Sequence, residues 1–282
     1  MAISRAQLLK ELLPGLNALF GIEYARYDDE HSDIYETESS SRSFEEEVKL
    51  SGFDAAPVKD EGSAISYDAA QESFTARYNH ETIAMGFAIT EEAMEDNLYD
   101  SLSARYTKAL ARAMAHTKQV KAVVPLNNGF TAAYQGGDGV NLFTASGDGV
   151  TGGDGHPLVS GGKNSNRPAT AVDLNETSLE AAVIQIGKWT DERGLMIAAR
   201  PQTLVIPPDL QFVATRVMKS ELRPGTADND INAVRSMGVV PNGTVVNHYL
   251  TDTDAWFLLT DVPDGMKHFN RVALETSMDG DF

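Results

Sequence analysis

The segment from Phe44 to Lys121 constrains the fold of this chain more than any other part of the sequence. Alternating apolar residues predict a long β-hairpin, and one long charged helix follows it directly. A two-stranded ribbon is only marginally stable in water, so this hairpin needs a surface to lie on. The helix has too little apolar surface to cover it. We therefore expect a second copy of the same chain to supply the missing surface.

Apolar positions with a period of two locate the strands of this region. They predict strands at Phe44–Phe53, Ile65–Tyr67, Phe74–Tyr78 and Ile83–Ile89. The parity changes near residues 80–82, which indicates a bulge, twist or break where the hairpin ends and the packed body begins. The candidate apolar contacts with a neighbouring copy are Phe44, Val48, Leu50, Phe74 and Tyr78.

The helix is predicted from the N-cap Thr90 to Lys121. Apolar residues recur along it every four residues, at Met94, Leu98, Leu102, Tyr106 and Leu110. Acidic side chains precede basic ones, which suits the helix dipole and gives a rod with opposite poles that can order head-to-tail beside a copy. The candidate polar assembly contacts are Glu91, Glu92, Arg105, Lys108 and Arg112.

The N-terminal part predicts less regular structure. Residues 4–13 predict a short amphipathic helix that Pro14 and Gly15 end, and the polar residues 28–43 predict an arm rather than a core element. From Asp28 to Glu61 there are twelve acidic and three basic residues, which is half of the net charge of −18. Two interpretations stay open: a solvated, partly mobile strip, or a strip that pairs with basic surface on a neighbouring subunit.

A compact α+β half follows a glycine-rich loop at residues 127–168. A capping box of Thr177 and Glu180 predicts a helix that Gly194 closes. Pro208 suits the first turn of a second helix, and a short helix is predicted from Ile231. The predicted strands of this half are Thr203–Ile206, Thr244–Leu250, Ala255–Thr260 and Met266–Val272.

Composition excludes several classes of site. The chain has no cysteine, so it has no disulfide, thiolate metal site or cysteine nucleophile. A net charge of −18 disfavours a basic nucleic-acid-binding face but allows nucleic acid to be enclosed. No signal peptide and no membrane-length apolar run is evident, so we expect no membrane partner and a place in a cytoplasm, or release from one by lysis.

No motif predicts catalysis, a cofactor or a metal. The glycines at 147, 149 and 152 match a dinucleotide-binding spacing but lack the strand before and the helix after. Asp138, Asp148 and Asp154 resemble calcium-binding glycine–aspartate loops, but their spacing is irregular. No two of the six histidines have the short spacing of paired ligands on one helix face or strand edge. A flexible surface loop explains the glycine-rich segment better than a site.

The order of the elements and several segments resemble the HK97-type major capsid protein of tailed bacteriophages, in a group of podovirus-like and marine phages. The resemblance runs from about Gly21 to the C-terminus. Its most specific segments are SYDAAQESFTARYNHETIAMGFAITEEAMEDNLYDSLS, GGDGVNLF, HPLVSGG, WTDERGL, PPDLQFVA, RPGTADNDINAVRSMG and VVNHYLTDTDAWFLLTDVPDG.

The resemblance implies an HK97-like capsid fold with named parts. Residues 1–43 would be the N-arm and 44–82 the E-loop hairpin that lies over the adjacent subunit. Residues 83–170 would be the P-domain, with its spine helix at 90–121 and the glycine-rich loop. Residues 171–260 would be the A-domain, and 261–282 would return toward the P-domain. Relatives continue past the equivalent of residues 278–282 into a further strand-rich segment, so a shortened sequence is one expectation and a strand supplied otherwise is another.

The implied function is that of a non-catalytic major capsid protein. Hexamers and pentamers of it would form an icosahedral shell around double-stranded DNA, assembled in the host cytoplasm, with scaffolding, portal and decoration proteins as partners. Two other classes stay open from the residues: an encapsulin-like compartment that encloses enzymes, and a glycine-loop enzyme or calcium binder.

Overall fold

A computed structural model describes residues 5–90, 99–147, 154–223 and 230–277. The helices in these ranges are α1 Arg5–Tyr24, α2 Tyr99–Asn128, α3 Glu176–Gly187, α4 Gln211–Lys219 and α5 Ala233–Met237, with 3₁₀ turns at Glu30–Asp33 and Pro208–Leu210. The strands are β1 Glu36–Ser39, β2 Phe44–Leu50, β3 Glu72–Asn79, β4 His156–Pro157, β5 Lys163–Asn164, β6 Pro201–Ile206, β7 Thr244–Val246, β8 Phe257–Thr260 and β9 Lys267–Asn270. The predicted α+β class is confirmed.

The core lies on both faces of strand β6. Strand β7 runs parallel to it on one side and β8 antiparallel on the other. Leu204, Val205 and Ile206 are fully buried, and successive side chains point to opposite faces of the sheet. Val205 packs with Val123 and Leu126 of α2, whereas its two neighbours pack on the side of α4. Because helices cover both faces, the last three residues of the strand are all apolar rather than alternating.

The buried face of α2 lies one residue away from the predicted stripe. Tyr106 is 46% exposed, and the side chains that turn inward are Ser103, Thr107, Ala111, Ala115, Gln119 and Val123. These residues recur every four positions and therefore share one helix face. Their small size at the N-terminal end allows α1 to pack along α2. The helix also passes the predicted end at Lys121 and continues through Pro125 to Asn128, because Val123 and Leu126 belong to the core.

The expectation that Pro14 ends the first helix is wrong. Helix α1 runs through Pro14 to Tyr24. An interior proline removes one backbone hydrogen bond but does not end a helix whose packing offsets that loss. Phe20 and Glu23 are buried near the C-terminal end of α1 and anchor it.

Residues 28–43 are also not a free arm. His31 and Ile34 are buried, and the Tyr35 hydroxyl donates to the Ala122 carbonyl of α2 at 2.6 Å. Strand β1 then pairs in parallel with β9, with Glu36 opposite Lys267. The polar composition of the segment conceals these anchors, because two buried side chains and one strand ladder are sufficient to dock it.

In the second half the predicted order of elements is right, but one cap differs. Helix α3 is capped by Asn175, whose side chain accepts from the Ser178 amide while the Ser178 hydroxyl accepts from the Asn175 amide. The predicted box used Thr177 and Glu180, and the helix ends at Gly187 rather than before Gly194. The predicted strands are present: β7, β8 and β9 are shorter than predicted, whereas β6 begins at Pro201, before the predicted start at Thr203. Pro208 begins a 3₁₀ turn that leads into α4.

Two predicted strands are not formed. Residues 65–67 and 83–89, all of which the structure describes, carry no ladder. Burial does not follow the predicted alternation at 83–89, since Ile83 and Ile89 are half-buried while Met85 and Phe87, which share their predicted face, are exposed. An extended segment becomes a strand only when another segment supplies hydrogen bonds, and no described segment pairs with this one.

Candidate assembly surface

A projecting antiparallel ribbon is formed by β2 and β3. Its ladder places Phe44 opposite Asn79 and Val48 opposite Thr75, with a register shift between Lys49 and Leu50. Beyond Ser51 the two arms continue as a long loop over residues 52–70, which is exposed throughout. The predicted hairpin therefore exists, but only its root is a paired sheet.

The loop and the end of strand β2 carry apolar side chains that remain exposed in the single chain. Val58 is 95% exposed and Tyr67 is 87% exposed, and Phe53, Ile65 and Leu50 are each about 60% exposed. Exposed apolar residues that stand alone are ordinary, but a run of them along one ribbon marks an interaction surface.

The structure divides the five predicted apolar contacts between the two faces of the ribbon. Phe44 and Val48 lie on one face, where the Arg77 guanidinium stands 4.4 Å from the Phe44 ring centroid. Tyr78 lies on the other face against Phe269 of β9, with ring centroids 5.8 Å apart. Phe74 is half-buried there. Phe44, Val48 and Leu50 therefore lie on the face turned away from the body, and Phe74 and Tyr78 lie on the body side, where Tyr78 is still 44% exposed. Contact of all five with a neighbouring copy stays a prediction.

Lys267 holds the root of the ribbon on the body. Its ammonium lies 2.6 Å from Glu47 of β2, 3.1 Å from Asp264 and 3.5 Å from Glu38 of β1. The hydrogen bond to Glu47 is the main reason that the pKa of Lys267 is raised above its ordinary value. Sequence reasoning missed this residue, because a lone lysine in a predicted strand gives no sign of three acidic partners.

The predicted charged contacts on the long helix have different environments. Glu91 and Glu92 lie outside the described residues. Arg105 and Arg112 are exposed. Lys108 lies 3.5 Å from Glu23, a buried carboxylate of α1 that Arg26 also binds at 3.0 Å. Lys108 therefore joins two helices of one subunit. A role between subunits stays a prediction for Lys108 and for the two arginines.

Much of the acidic stretch from Asp28 to Glu61 pairs within the chain. Seven of its carboxylates lie within 4.0 Å of a basic group: Asp29 with Lys118, Glu30 with His248, Glu38 and Glu47 with Lys267, Glu45 with Arg42, Glu46 with Arg77, and Asp54 with Arg193. Most of these pairs are exposed and individually weak. Together they fix the orientation of the acidic stretch relative to the rest of its own subunit.

The described part of the glycine-rich segment forms hydrogen bonds in place of a metal site. Asp138 binds the His156 ring nitrogen at 2.6 Å. Burial opposes ionisation of Asp138, but hydrogen bonds from His156 and the Val140 amide outweigh it and lower the pKa of that carboxyl. Asp154 accepts from the Gly147 amide and from Lys163, and Asp148 lies outside the described ranges. Among described residues, no group of three or more histidine or acidic side chains is placed to hold a metal.

Sequence reasoning missed a second set of exposed apolar residues. Phe212 is 75% exposed, and Ile231 and Met237 are exposed to a similar extent near α4 and α5. Phe212 lies off the buried stripe of α4, and an apolar residue off a helix stripe was the available signal. No described helix is both long and apolar enough to cross a membrane.

Comparisons with known proteins agree with this geometry. Residues 73–282 match the model of a family described as phage capsid protein. Two solved structures are similar in fold: a bacteriophage JBD30 capsid, with a TM-score of 0.53 and 14% identity, and a JBD30 capsid decorated with minor capsid protein trimers, with a TM-score of 0.51 and 16% identity. Each alignment covers 77% of this chain and 89% of the JBD30 chain. No curated protein sequence matches.

Proposed function

The chain belongs to the phage capsid protein family, and we propose that its copies close into a shell by laying the β2–β3 hairpin over a neighbouring copy. The protein is a structural subunit of the virion capsid, and it acts by association with itself. The observation that carries the proposal is the exposed apolar run on the ribbon and its loop. A surface of this kind is stable when a partner covers it.

We assign the parts of the chain accordingly. Residues 1–43 are the N-arm, 44–82 the E-loop, 83–170 the P-domain with α2 as its spine, and 171–260 the A-domain, after which 261–282 return to the P-domain. Met266 supports the last assignment, since it packs against the core cluster that contains Val123 and Leu126 of α2. Hexamers and pentamers of this subunit form an icosahedral shell, and the chain performs no catalysis.

We also infer that the shell encloses double-stranded DNA and is built in the host cytoplasm. A net charge of −18 suits a wall that confines DNA without gripping it, because a repulsive lining leaves the polymer free to slide. A scaffolding protein, a portal and decoration proteins are the further partners that we propose. The JBD30 capsid decorated with minor capsid protein trimers supports the last of these.

The deciding experiment removes the hairpin. A variant in which a short glycine–serine linker replaces residues 45–80 should fold, because the core around β6 takes no side chain from that range. Circular dichroism should show native helix content, and electron micrographs should show no closed particles.

A matched control substitutes serine at Ile184, an exposed apolar residue of α3, and should assemble normally. Serine at both Val58 and Tyr67 should reduce particle yield. If the deletion variant makes closed shells as well as the parent protein does, the proposed role of the hairpin is wrong.

A further inference from the structure

One arginine joins the two arms of the hairpin where their ladder ends. The Arg193 guanidinium donates to the Gly52 carbonyl at 3.2 Å and to the Ala69 carbonyl at 2.8 Å. It also lies 3.7 Å from the Asp54 carboxylate, and its side chain is only 12% exposed. Both carbonyls lie just beyond the last ladder pair, Leu50 with Glu72. A planar guanidinium with several donors is suited to bridging two separate acceptors.

The preceding residue ties the same hairpin to the body. The Glu192 carboxylate is buried and lies 2.5 Å from the Lys49 ammonium of β2. Its other oxygen accepts from the Val159 amide at 3.2 Å, and its carbonyl accepts from the Ser160 amide at 3.1 Å. A buried carboxylate depends on its partner, so loss of Lys49 leaves an uncompensated charge.

Glu192 and Arg193 belong to a turn that is held in shape independently of the hairpin. The Asp191 carboxylate accepts from the amides of Arg193 at 2.9 Å and Leu195 at 2.8 Å. Gly194 takes a φ of +87°, a left-handed conformation that favours glycine. A bridge between Thr190 and Met196 closes the turn. The two side chains are therefore presented by a preformed element.

We propose that Glu192 and Arg193 form a latch that fixes the direction of the hairpin in the unassembled subunit, and that they are positioning residues for assembly. The inference rests on the proposed function of the hairpin. Contacts of the ribbon with Lys267, Phe269 and Gly137 hold its root, and a ribbon held only there can pivot. A further attachment at the end of the ladder fixes its direction. Fixing it before association removes part of the ordering cost that assembly otherwise bears.

The absence of native cysteines allows a direct test in the unassembled subunit. Spin labels at Glu72→Cys, on the exposed outer end of β3, and at Ile184→Cys, on α3, report the distance between hairpin and body. The parent protein should give one narrow distance distribution. Arg193→Ala should broaden it severalfold. Arg193→Lys should broaden it too, because one ammonium nitrogen replaces the two separate guanidinium nitrogens that reach the two carbonyls. Arg216→Ala, which removes an exposed arginine of α4, is the matched control and should leave it narrow.

A narrow distribution in both Arg193 variants would overturn the latch. If Arg193→Ala does not fold by circular dichroism, Arg193→Lys and Lys49→Ala decide the question. The subunit concentration needed for assembly, measured by light scattering, should also rise severalfold in Arg193→Ala. The two proposals fail separately. Normal assembly of the 45–80 deletion variant would contradict the proposed function of the hairpin and would leave the spin-label distance result valid. An unchanged distance distribution in the Arg193 variants would contradict only the latch.

Discussion

A buried and a half-buried histidine meet where the N-terminal segment docks on α2. The rings of His31 and His268 lie edge to face with centroids 5.0 Å apart. Gln119 of α2 accepts from the His31 amide at 3.2 Å and lies 3.3 Å from the His31 ring nitrogen. Burial lowers the pKa of both rings, the charge of Lys118 lowers it further, and Asp29 opposes that effect. The lowered pKa favours the neutral form of both rings.

This pair makes the subunit less stable in acid. The pKa of each folded ring lies below its ordinary value of 6.5, so the unfolded chain takes up protons first as the pH falls. The stabilisation is complete above about pH 6.5 and is lost progressively below it. Urea unfolding of the unassembled subunit should give a lower free energy of unfolding at about pH 5 than at about pH 7.5.

His268→Phe tests the source of this dependence, because it keeps a ring and removes the titration. The acid-induced decrease in the free energy of unfolding should be smaller in this variant than in the parent protein. It should be unchanged in His116→Gln, which alters an exposed histidine of α2. An equal loss in the parent and in His268→Phe would contradict the explanation.

At the scale of single residues, contacts between side chains that are far apart in the sequence could not be predicted. His31 and Gln119 are 88 positions apart, and Arg193 lies 141 positions from Gly52. Local periodicity predicts which face of an element is apolar, but it contains no information about which polar groups meet after folding. Lys108 shows the result: its charge was evident, but its partner Glu23 was not.

Helix α1 contains a destabilising residue that can be removed. Pro14 is exposed in the helix interior, where proline costs about 3 kcal/mol relative to alanine. Pro14→Ala should therefore stabilise the helix, and amide exchange across residues 5–24 should slow in the free subunit. A Cβ added at Gly15 meets no atom within 4 Å. Gly15→Ala should therefore also stabilise the helix, by a smaller amount of about 1 kcal/mol. Faster exchange in Pro14→Ala would show that the helix depends on the local geometry of the proline.

The root of the hairpin rests on the glycine-rich segment at one close contact. A Cβ added at Gly137 would lie 2.8 Å from the Thr75 carbonyl and 3.0 Å from the Ala76 amide nitrogen, both in β3. Backbone at that distance must move, so Gly137→Ala should speed amide exchange across residues 72–79 and reduce particle yield. Gly187→Ala, at the end of α3, meets nothing within 4 Å and should be neutral or slightly stabilising. Unchanged exchange in Gly137→Ala would mean that this contact does not support the hairpin.

At the scale of elements, the sequence predicted which elements exist better than where they end. The hairpin, the long helix and the strands of the second half follow from apolar periodicity, which local sequence carries. The missed boundaries have tertiary causes. Packing carries α1 past Pro14, and core side chains extend α2 past Lys121. Residues 83–89 form no strand because strand formation needs a partner segment, and none of the described segments supplies one.

Across the whole molecule, charge should set the conditions for assembly. Copies with a net charge of −18 repel one another, and salt screens exposed charges. Shell yield should therefore rise as salt increases from about 0.05 M to about 0.5 M. The double variant Asp60→Asn with Glu61→Gln, on the exposed loop, removes two negative charges and should form shells at lower salt than the parent protein. Lys59→Gln removes a positive charge and should need higher salt. A yield that falls with salt would support attraction between the acidic stretch and basic surface of a neighbour.

The capsid family was accessible from the resemblance of several segments, and the need for partner copies was predicted because an uncovered ribbon is visible as a pattern. The distribution of the apolar residues between the two faces of that ribbon could not be predicted from the sequence. Phe44, Val48 and Leu50 face outward while Phe74 and Tyr78 lie on the body side, and only strand register together with the position of β9 decides this.

The central claim is that sister copies cover the exposed hairpin. An electron cryomicroscopy reconstruction of assembled particles tests it most directly. We predict that Phe53, Val58 and Tyr67 will be buried against an adjacent subunit, with the β2–β3 root in the same direction as in the single chain. Particles in which these three side chains remain exposed to solvent, or pack into their own subunit, would contradict the account.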